Sequence, residues 1–572
     1  MKLLSVHCDY ITFKPLKKAL KNPEELSEER QKELTFKEPL VIFTSIEKQD
    51  EHNKTLIQKY VKEIADIAKQ VNAKQIVLYP YAHLSSSLSS PDFALKTLEQ
   101  AEKELTKEKF LVQRAPFGYY KEFELKCKGH PLSELSREIN MDGKATEAKT
   151  GEEKENYDYK QLLREISKAK LDTSKLKEND HRILGQKMNL FSFNDVAPGM
   201  VFWHNNGLII FNELVDFWRA EHRKNNYKEI KTPQILDKKL WQISGHWEKY
   251  KENIFISDYE KRMFAVKPMN CPGAMLVYKN MQRSYKDLPL RLAEMGVVHR
   301  QELSGVLNGL FRVIQFTQDD AHLFCTESQL EDEITSIMGM IDTFYTLFGF
   351  SYHVELSTRP EKRIGDEKLW DKAEGTLEKI LKKKKMKFKI NKGDGAFYGP
   401  KIDFHIKDSL NRTWQVATIQ LDFAMPERFD LAYIDNENKE QRPIIIHRVI
   451  YGSLERFIGI VLEHTNGHLP LWLAPMQVRV INFTDRNNKA CEKLVEELKK
   501  HTIRVSQDLS SEPLQGKIKQ AEVEKIPYIV VIGDKEEQSG NLAVRHRSKI
   551  SSVKKDEFIE KILKEITEKK FE

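Results

Sequence analysis

The chain lacks any cysteine pair: Cys8, Cys127, Cys271, Cys325 and Cys491 are dispersed, and no C-x-x-C occurs. That excludes a disulfide framework and local redox or zinc-ribbon motifs, and it suits a reducing, cytoplasmic compartment. Long hydrophobic runs are missing too. No window approaches the roughly 18 apolar residues of a membrane span, and the opening MKLLSVHCDYITF is too short and too polar for a secretory signal, so no membrane partner is expected. A surplus of one charge is also absent, since 93 Lys and Arg stand against 86 Asp and Glu for a net charge of +7. A polyanion would therefore be met by a local patch rather than by overall charge. Neither G-x-x-x-x-G-K-[ST] nor G-x-G-x-x-G after a strand is found, which excludes the P-loop and dinucleotide-fold ways of cradling phosphates. No internal repeat is apparent.

What is there is a 572-residue chain with 40% apolar content, too long for one core and suited to three or four domains. Residues 1–140 alternate strand patterns (KLLSVHCDY, LVIFTSI, QIVLYPYA) with amphipathic helices. Residues 141–180 shift to Lys, Glu and Asn and read as a charged linker with some helix. Residues 181–470 hold an aromatic, Gly- and Met-rich middle. Residues 471–572 alternate strands and helices, as an α/β unit with a partly parallel sheet does.

The run FRVIQFTQDDAHLF is the most telling segment. Read as a strand, it places Arg312, Phe316, Gln318, Asp320 and His322 on one face, where a buried strand would carry Val, Leu or Ile. Such a mixed polar stripe is an active-site floor. Arg300 and Glu302 precede it across a Gly-bearing loop, and Arg456 sits in SLERFIGIVLEH, which has helical apolar spacing. Fixed guanidiniums can clamp a triphosphate bidentately, with Phe316 stacked on a purine. Taken singly, each arginine reads more simply as half of a surface ion pair.

Together these stretches resemble a class II aminoacyl-tRNA synthetase. NNYKEIKTPQILD is similar to its first motif, HRQE to FRVIQF to its second, and GSLERF to its third. SGHWEKY, MNCPG, FTQDDAHLFC, GDGAFYGPKIDF and HRVIYGSLERFIGI followed by LWLAPMQV narrow the resemblance to the threonyl-tRNA synthetase family over residues 181–572. The resemblance implies an α+β and α/β multidomain fold: an antiparallel-sheet class II core between a deacylase-like N-terminal domain and a C-terminal α/β anticodon-binding domain. It implies activation of L-threonine by ATP with Mg2+, transfer to tRNA(Thr), and a homodimer.

Residue by residue, the resemblance makes Cys271, His322 and His447 the ligands of one Zn2+ per subunit. Singly, they read as a buried thiol and core histidines. Three protein ligands leave a position open, as in catalytic zinc. The metal would take the substrate's amino group and β-hydroxyl, with Asp320 accepting from that hydroxyl. An apolar pocket separates near-isosteres such as valine and threonine by only about 10²-fold, whereas a site that requires a hydroxyl separates them by on the order of 10⁴–10⁵. Arg300 and Arg312 would hold the α- and γ-phosphates, Arg456 the triphosphate tail with its magnesium, and Phe316 the adenine. Gln318 belongs to the same floor. Tyr398, Lys401, Gln415 and Ser453 match pocket positions, Met269 a position beside the zinc, and His246 one near the terminal adenosine, where it could help deprotonate the ribose hydroxyl or serve only structure. Ala274 departs from the family's MNCPGH.

Zinc cannot reject serine, because one missing methyl is worth about 1–3 kcal/mol. Residues 1–140 resemble the archaeal threonyl-tRNA synthetase editing domain through YPYAHLSSSLSSP and RAPFGYYKEFELKCKGHPLSE. His83 and Lys121 match its site, with the backbone of Ala82, Ala115 and Pro116 lining the pocket. Read without the resemblance, Lys121 is a solvent-facing lysine. In the last domain Arg547 matches an anticodon contact and Gln538 stands where the family has Glu. Arg545 and Arg547, two apart in LAVRHR, are expected on one face of an edge strand. The H-x-x-x-H of His464 and His468 reads as a helix ending in a turn, and KKKKMKFK, basic enough to touch tRNA phosphates, reads more simply as a solvated helix end with an edge strand. The rival readings are a prolyl or seryl synthetase, a non-catalytic tRNA-binding regulator, and a stand-alone deacylase. The first lacks the Cys/His/His triplet, the second would be expected to lose an ATP-clamping arginine, and the third leaves most of the chain unexplained.

Overall fold

The computed structural model describes residues 1–20, 23–53, 55–85, 87–139, 158–166, 174, 176–260, 262–547 and 549–571. They form two compact units, Met1–Tyr157 and Asp158–Glu572. Of the charged linker expected over 141–180, residues 141–157, 167–173 and 175 lie outside the described residues; Tyr159–Ile166 is a helix.

The first unit is a seven-stranded mixed sheet with two helices. Its strands are β1 (Lys2–Lys18), β2 (Leu34–Lys37), β3 (Pro39–Ser45), β4 (Gln75–Pro80), β5 (Leu111–Arg114), β6 (Tyr119–Cys127) and β7 (Glu134–Glu138). β3, β4 and β5 run parallel, so their crossovers are the helices α1 (Leu56–Gln70) and α2 (Pro91–Lys107). β3 is buried at every position, as expected of a parallel strand covered on both faces. Leu40 and Ile42 meet the helices, while Val41 and Phe43 meet the far half of β1 through Ile11 and Phe13. β1 pairs with β3 and β7 in its first half and with β2 and β6 in its second.

The second unit is built on an eight-stranded sheet. In chain order its strands are β8 (Lys228–Glu229), β9 (Leu290–His299), β10 (Gln315–Cys325), β11 (Ser351–Ser357), β12 (Phe388–Asn391), β13 (Lys401–Lys407), β14 (Thr413–Asp422) and β15 (Ile444–Val449). Their spatial order is β8-β9-β10-β15-β14-β13-β11-β12, with the six central strands antiparallel. α3 (Asn205–Lys224), α5 (Leu330–Leu347), α6 (Glu367–Lys383) and α7 (Leu454–His464) bury their apolar stripes with one face of this sheet, and α4 (Cys271–Lys279) packs in a smaller separate cluster. The odd residues of β10, such as Ala321 and Leu323, enter the large core. The other face is left for polar side chains.

The strand expected from residue 312 begins at Gln315. Arg312 lies before it, in a tight turn bridged to Asn308, so it reaches the site from a loop and not from the strand face. Past α7 the chain forms a five-stranded sheet of β16 (Val478–Asn482), β17 (Val505–Asp508), β18 (Tyr528–Ile532), β19 (Asn541–His546) and β20 (Lys549–Lys554), ordered β17-β16-β18-β19-β20. Its first three are parallel and the last two antiparallel. β19 is therefore not an edge, and Arg547 stands in the turn after it with φ of 52°. The alternation argument pairing Arg545 with Arg547 fails there: Arg545 lies against Glu522, and Arg547 leaves the pleat. Gln538 is exposed on the helix Asp534–Ser539. No helix of the described residues is long and apolar enough to cross a membrane.

Candidate active site

Antiparallel register brings the chemistry together. His322 of β10 is directly opposite His447 of β15, and their rings are edge-on with centroids 4.9 Å apart. Cys271 opens α4, where Pro272 fits the first helical turn because its missing N–H is not needed there. One ligand atom each of Cys271, His322 and His447 lies within 4.8 Å of the others, and all three residues are buried. His447 turns Nε2 to Asp422 Oδ2 at 2.9 Å, leaving Nδ1 for another partner. Burial drives the Cys271 thiol up and the His322 imidazole well down. A thiol so placed stays uncharged unless a cation takes it, and a neutral imidazole presents a lone pair. The soft S/N/N donor set, its burial and the carboxylate behind His447 fit zinc with an open fourth position.

Beside this group lies Asp320, on the same face of β10. Its Oδ2 accepts from Asn270 Nδ2 at 2.6 Å, and burial raises its carboxyl. Asn270 reaches it because position 296 on β9 is glycine: a Cβ there would fall 2.2 Å from Asn270 Oδ1. Met269 packs with Cys271 in the same cluster, and the Tyr398 ring is 5.2 Å from that of His447. His246 is fully buried, accepts or donates at Nδ1 with Ser244 Oγ (2.8 Å), and has no partner at Nε2. Burial lowers it to about 3, so it is a neutral base.

Next along the floor is a cavity of about 410 Å³ lined by Arg300, Arg312, Arg456, Glu302, Phe316, Gln318, Gln415 and Ser453 among others. Each guanidinium is anchored by Nε, to Pro268 O (3.1 Å) for Arg300, Glu302 Oε2 (3.0 Å) for Arg312 and Phe311 O (3.1 Å) for Arg456. Arg300 lies over the Phe316 ring at 5.1 Å. Burial, with Arg312 and Arg300 nearby, lowers the pKa of Arg456: three cations converge on a cavity whose lining holds one carboxylate, Glu302. Gln415 donates to Asp403 Oδ1 at 2.7 Å. Lys401 is elsewhere: its Nζ bridges Asp394 and Asp403 at 3.0 Å each and does not line this cavity.

In the first unit a cavity of about 550 Å³ is lined by Ala82, His83, Lys121 and a wall of Tyr79, Tyr81, Tyr119 and Phe123. Lys121 Nζ donates to Pro116 O (2.9 Å) and Tyr119 O (3.1 Å) and lies over the Tyr79 ring. Burial lowers it to about 8 against the opposing pull of Glu24. Ala115 and Pro116 do not line the cavity: Ala115 is wholly buried with its N–H on Leu78 O, and Pro116 acts only through the carbonyl that holds Lys121.

Three family models match the chain: the Archaea-specific editing domain of threonyl-tRNA synthetase over residues 1–139, the tRNA synthetase class II core domain (G, H, P, S and T) over 250–465, and an anticodon binding domain over 477–565. A solved structure of the RNA binding domain of threonyl-tRNA synthetase from Cryptosporidium parvum Iowa II is 42% identical, covers 67% of this chain and 98% of its own, and has a TM-score of 0.66. The chain belongs to the threonyl-tRNA synthetase family. The threonine–tRNA ligase of Caldanaerobacter subterraneus subsp. tengcongensis is 54% identical over 395 residues, 69% of this chain and 61% of that protein. A putative threonyl-tRNA synthetase, ThrRS-1, from Aeropyrum pernix is 28% identical over 68% of this chain and 97% of its own, with a TM-score of 0.61. The chain spans about three-fifths of the length of the curated relatives it matches, 61% or 62%.

In this member of the threonyl-tRNA synthetase family, sequence reasoning missed the carboxylates and amides that set the site. Asp319 faces away from the floor, wholly buried, and accepts from the N–H groups of Ile450 (2.9 Å), Tyr451 (3.1 Å) and Gly452 (2.9 Å). Burial pushes its carboxyl to about 7. It thereby fixes the turn that carries Ser453. Glu455 does the same from the other side, accepting from Thr317 N (2.8 Å) and Ser453 Oγ (3.0 Å). The one signal in the sequence was a doubled aspartate, Asp319–Asp320, inside an otherwise strand-like run.

Proposed function

We propose that the chain is a threonine–tRNA ligase that activates L-threonine with ATP to threonyl-adenylate, transfers it to tRNA(Thr), and clears mischarged serine in its first unit. The observation that carries this reading is the convergence of Cys271, His322 and His447 on the floor that continues into the arginine-lined cavity. Those three residues would hold the zinc, which would supply a Lewis acid for the substrate's amino and hydroxyl groups. Asp320 accepts from the hydroxyl while Asn270 Nδ2 donates to its Oδ2 and holds the carboxylate in place. Threonine's carboxylate oxygen then bonds to the α-phosphorus and pyrophosphate leaves.

Arg300 and Arg312, already anchored, present their remaining N–H groups to the α- and γ-phosphates with no ordering cost at the moment of reaction. Arg456 takes the triphosphate tail, with Mg2+ entering with ATP, and Phe316 stacks on adenine. Gln318, Gln415 and Ser453 line the wall, with Tyr398 and Met269 closing the threonine end. His246, neutral and without a partner at its buried Nε2, takes the proton of the tRNA ribose hydroxyl as that oxygen bonds to the carbonyl carbon and AMP leaves. Lys401 supports Asp403, and through it Gln415. In the first unit Lys121 and His83 position the serine ester for hydrolysis, and Arg547 and Gln538 meet the anticodon. The domains run 1–140, 181–470 and 471–572. Five thiols free of disulfides support a cytoplasmic setting, and the family resemblance supports a homodimer.

Amino-acid-dependent ATP–pyrophosphate exchange tests the reading. Threonine and, more weakly, serine should support exchange, and valine should not; exchange with valine comparable to that with threonine would overturn it.

A further inference from the structure

A second group of metal-type ligands lies elsewhere on the sheet. His353 and Glu355 are two apart on β11 and share a face, and His405 of β13 is directly opposite His353. The two imidazoles stack with centroids 4.9 Å apart and 12° between planes. Glu355 sits between them, Oε1 at 3.5 Å from His353 Nε2 and Oε2 at 3.5 Å from His405 Nε2. All three offer ligand atoms within 4.8 Å of one another. Asn391 Nδ2, from the edge strand β12, reaches Glu355 Oε2 at 3.3 Å and fixes the carboxylate.

We infer that His353, Glu355 and His405 form a second, solvent-reachable site for one divalent transition-metal ion. Spacings of 3.5 Å are long for charge-assisted hydrogen bonds, which close to about 2.7–2.9 Å. They are close to the edge of a coordination sphere with bonds of about 2.0–2.1 Å. Burial lowers the His405 pKa, which favours the neutral imidazole with a lone pair to give. Two imidazoles and one carboxylate suit Zn2+, Ni2+ or Cu2+ and are a poor match for the all-oxygen shells of Mg2+ and Ca2+. His353 is exposed, with 44% of its side chain accessible, so the remaining positions face water.

The site is separate from Cys271. His405 is opposite Gln415 and His447 opposite Gln420, on either side of β14. Two strand spacings across and five residues along place the two sites roughly 20 Å apart. A bound ion would cross-link β11 to β13 at the outer end of the sheet, next to the Asp403 that carries Gln415.

The test counts metal in the full chain, stripped with chelator and dialysed against micromolar Zn2+. Wild type should hold one equivalent more than His405→Ala, and Glu355→Gln should bind that equivalent at least tenfold more weakly. Because the result is a difference, it stands whether or not Cys271 holds zinc. A readout without mutation accompanies it: Zn2+ should slow acylation of His353 by diethyl pyrocarbonate, read by peptide mass spectrometry. Equal metal content in wild type and His405→Ala, or acylation of His353 indifferent to Zn2+, would overturn the inference.

Discussion

Replacing Asp319 by asparagine should weaken both folding and ATP binding, by an amount the structure lets one work out. One oxygen of this wholly buried carboxylate accepts from Ile450 and Tyr451, and the other accepts from Gly452 at the edge of the arginine cavity. An amide has a single acceptor oxygen. Turned toward Ile450 and Tyr451, it points N–H against the N–H of Gly452. Each orphaned buried donor costs about 1–3 kcal/mol, so Asp319→Asn should destabilise the chain by about 2 kcal/mol. The Asp319→Ala change orphans three donors and should cost about twice that or more. Gly452 and Ser453 line the arginine cavity. The loosened turn should therefore raise KM for ATP by about tenfold, the equivalent of about 1.4 kcal/mol, with a smaller effect on KM for threonine. Urea denaturation and ATP–pyrophosphate exchange measure the two quantities. An Asp319→Asn variant within about 0.5 kcal/mol of wild type, with unchanged KM for ATP, would refute the argument, because it would mean the three backbone donors do not depend on this carboxylate.

Three other outcomes are expected. Metal analysis of Cys271→Ser should lose one zinc per chain, and threonine-dependent exchange should fall at least about a hundredfold. Asp422→Asn, acting through His447, should weaken metal binding about 10–100-fold; full activity in the metal-free chain would contradict both. Lys121, lowered from the ordinary 10.5 to about 8, is an ammonium below that pH and an amine above it. Deacylation of Ser-tRNA(Thr) should therefore decline above pH about 8, and Lys121→Arg should remove the decline. Its contribution to stability runs the other way, improving as pH rises from 8 toward 10.5, because the unfolded chain holds that proton longer. A rate that does not fall above pH about 8 would show that no ammonium is needed.

The floor of the site was legible where period-two alternation holds. Phe316, Gln318, Asp320 and His322 share a face because Gln315–Cys325 is an unbroken strand. Alternation misled at Arg312 and at Arg547, where the backbone turns off the pleat. Asp422 and Asn270 carried no local signal and Asp319 only its place in a doubled aspartate, since each finds its partner across distant strands or from a loop. Strand β20 escaped notice because KISSVK exposes most of its side chains and lacks a continuous apolar stripe.

Consecutive residues of β15 have opposite duties. His447 looks toward Cys271 and His322, while Arg448 looks the other way, donating to Asp319 O and meeting His222 over the Tyr227 ring. A single-residue insertion or deletion inside Ile444–Val449 would trade imidazole for isoleucine or guanidinium beside Cys271 and His322 and strand a cation or a ring in the core. This short stretch should therefore tolerate point changes of side chain far better than any change of length.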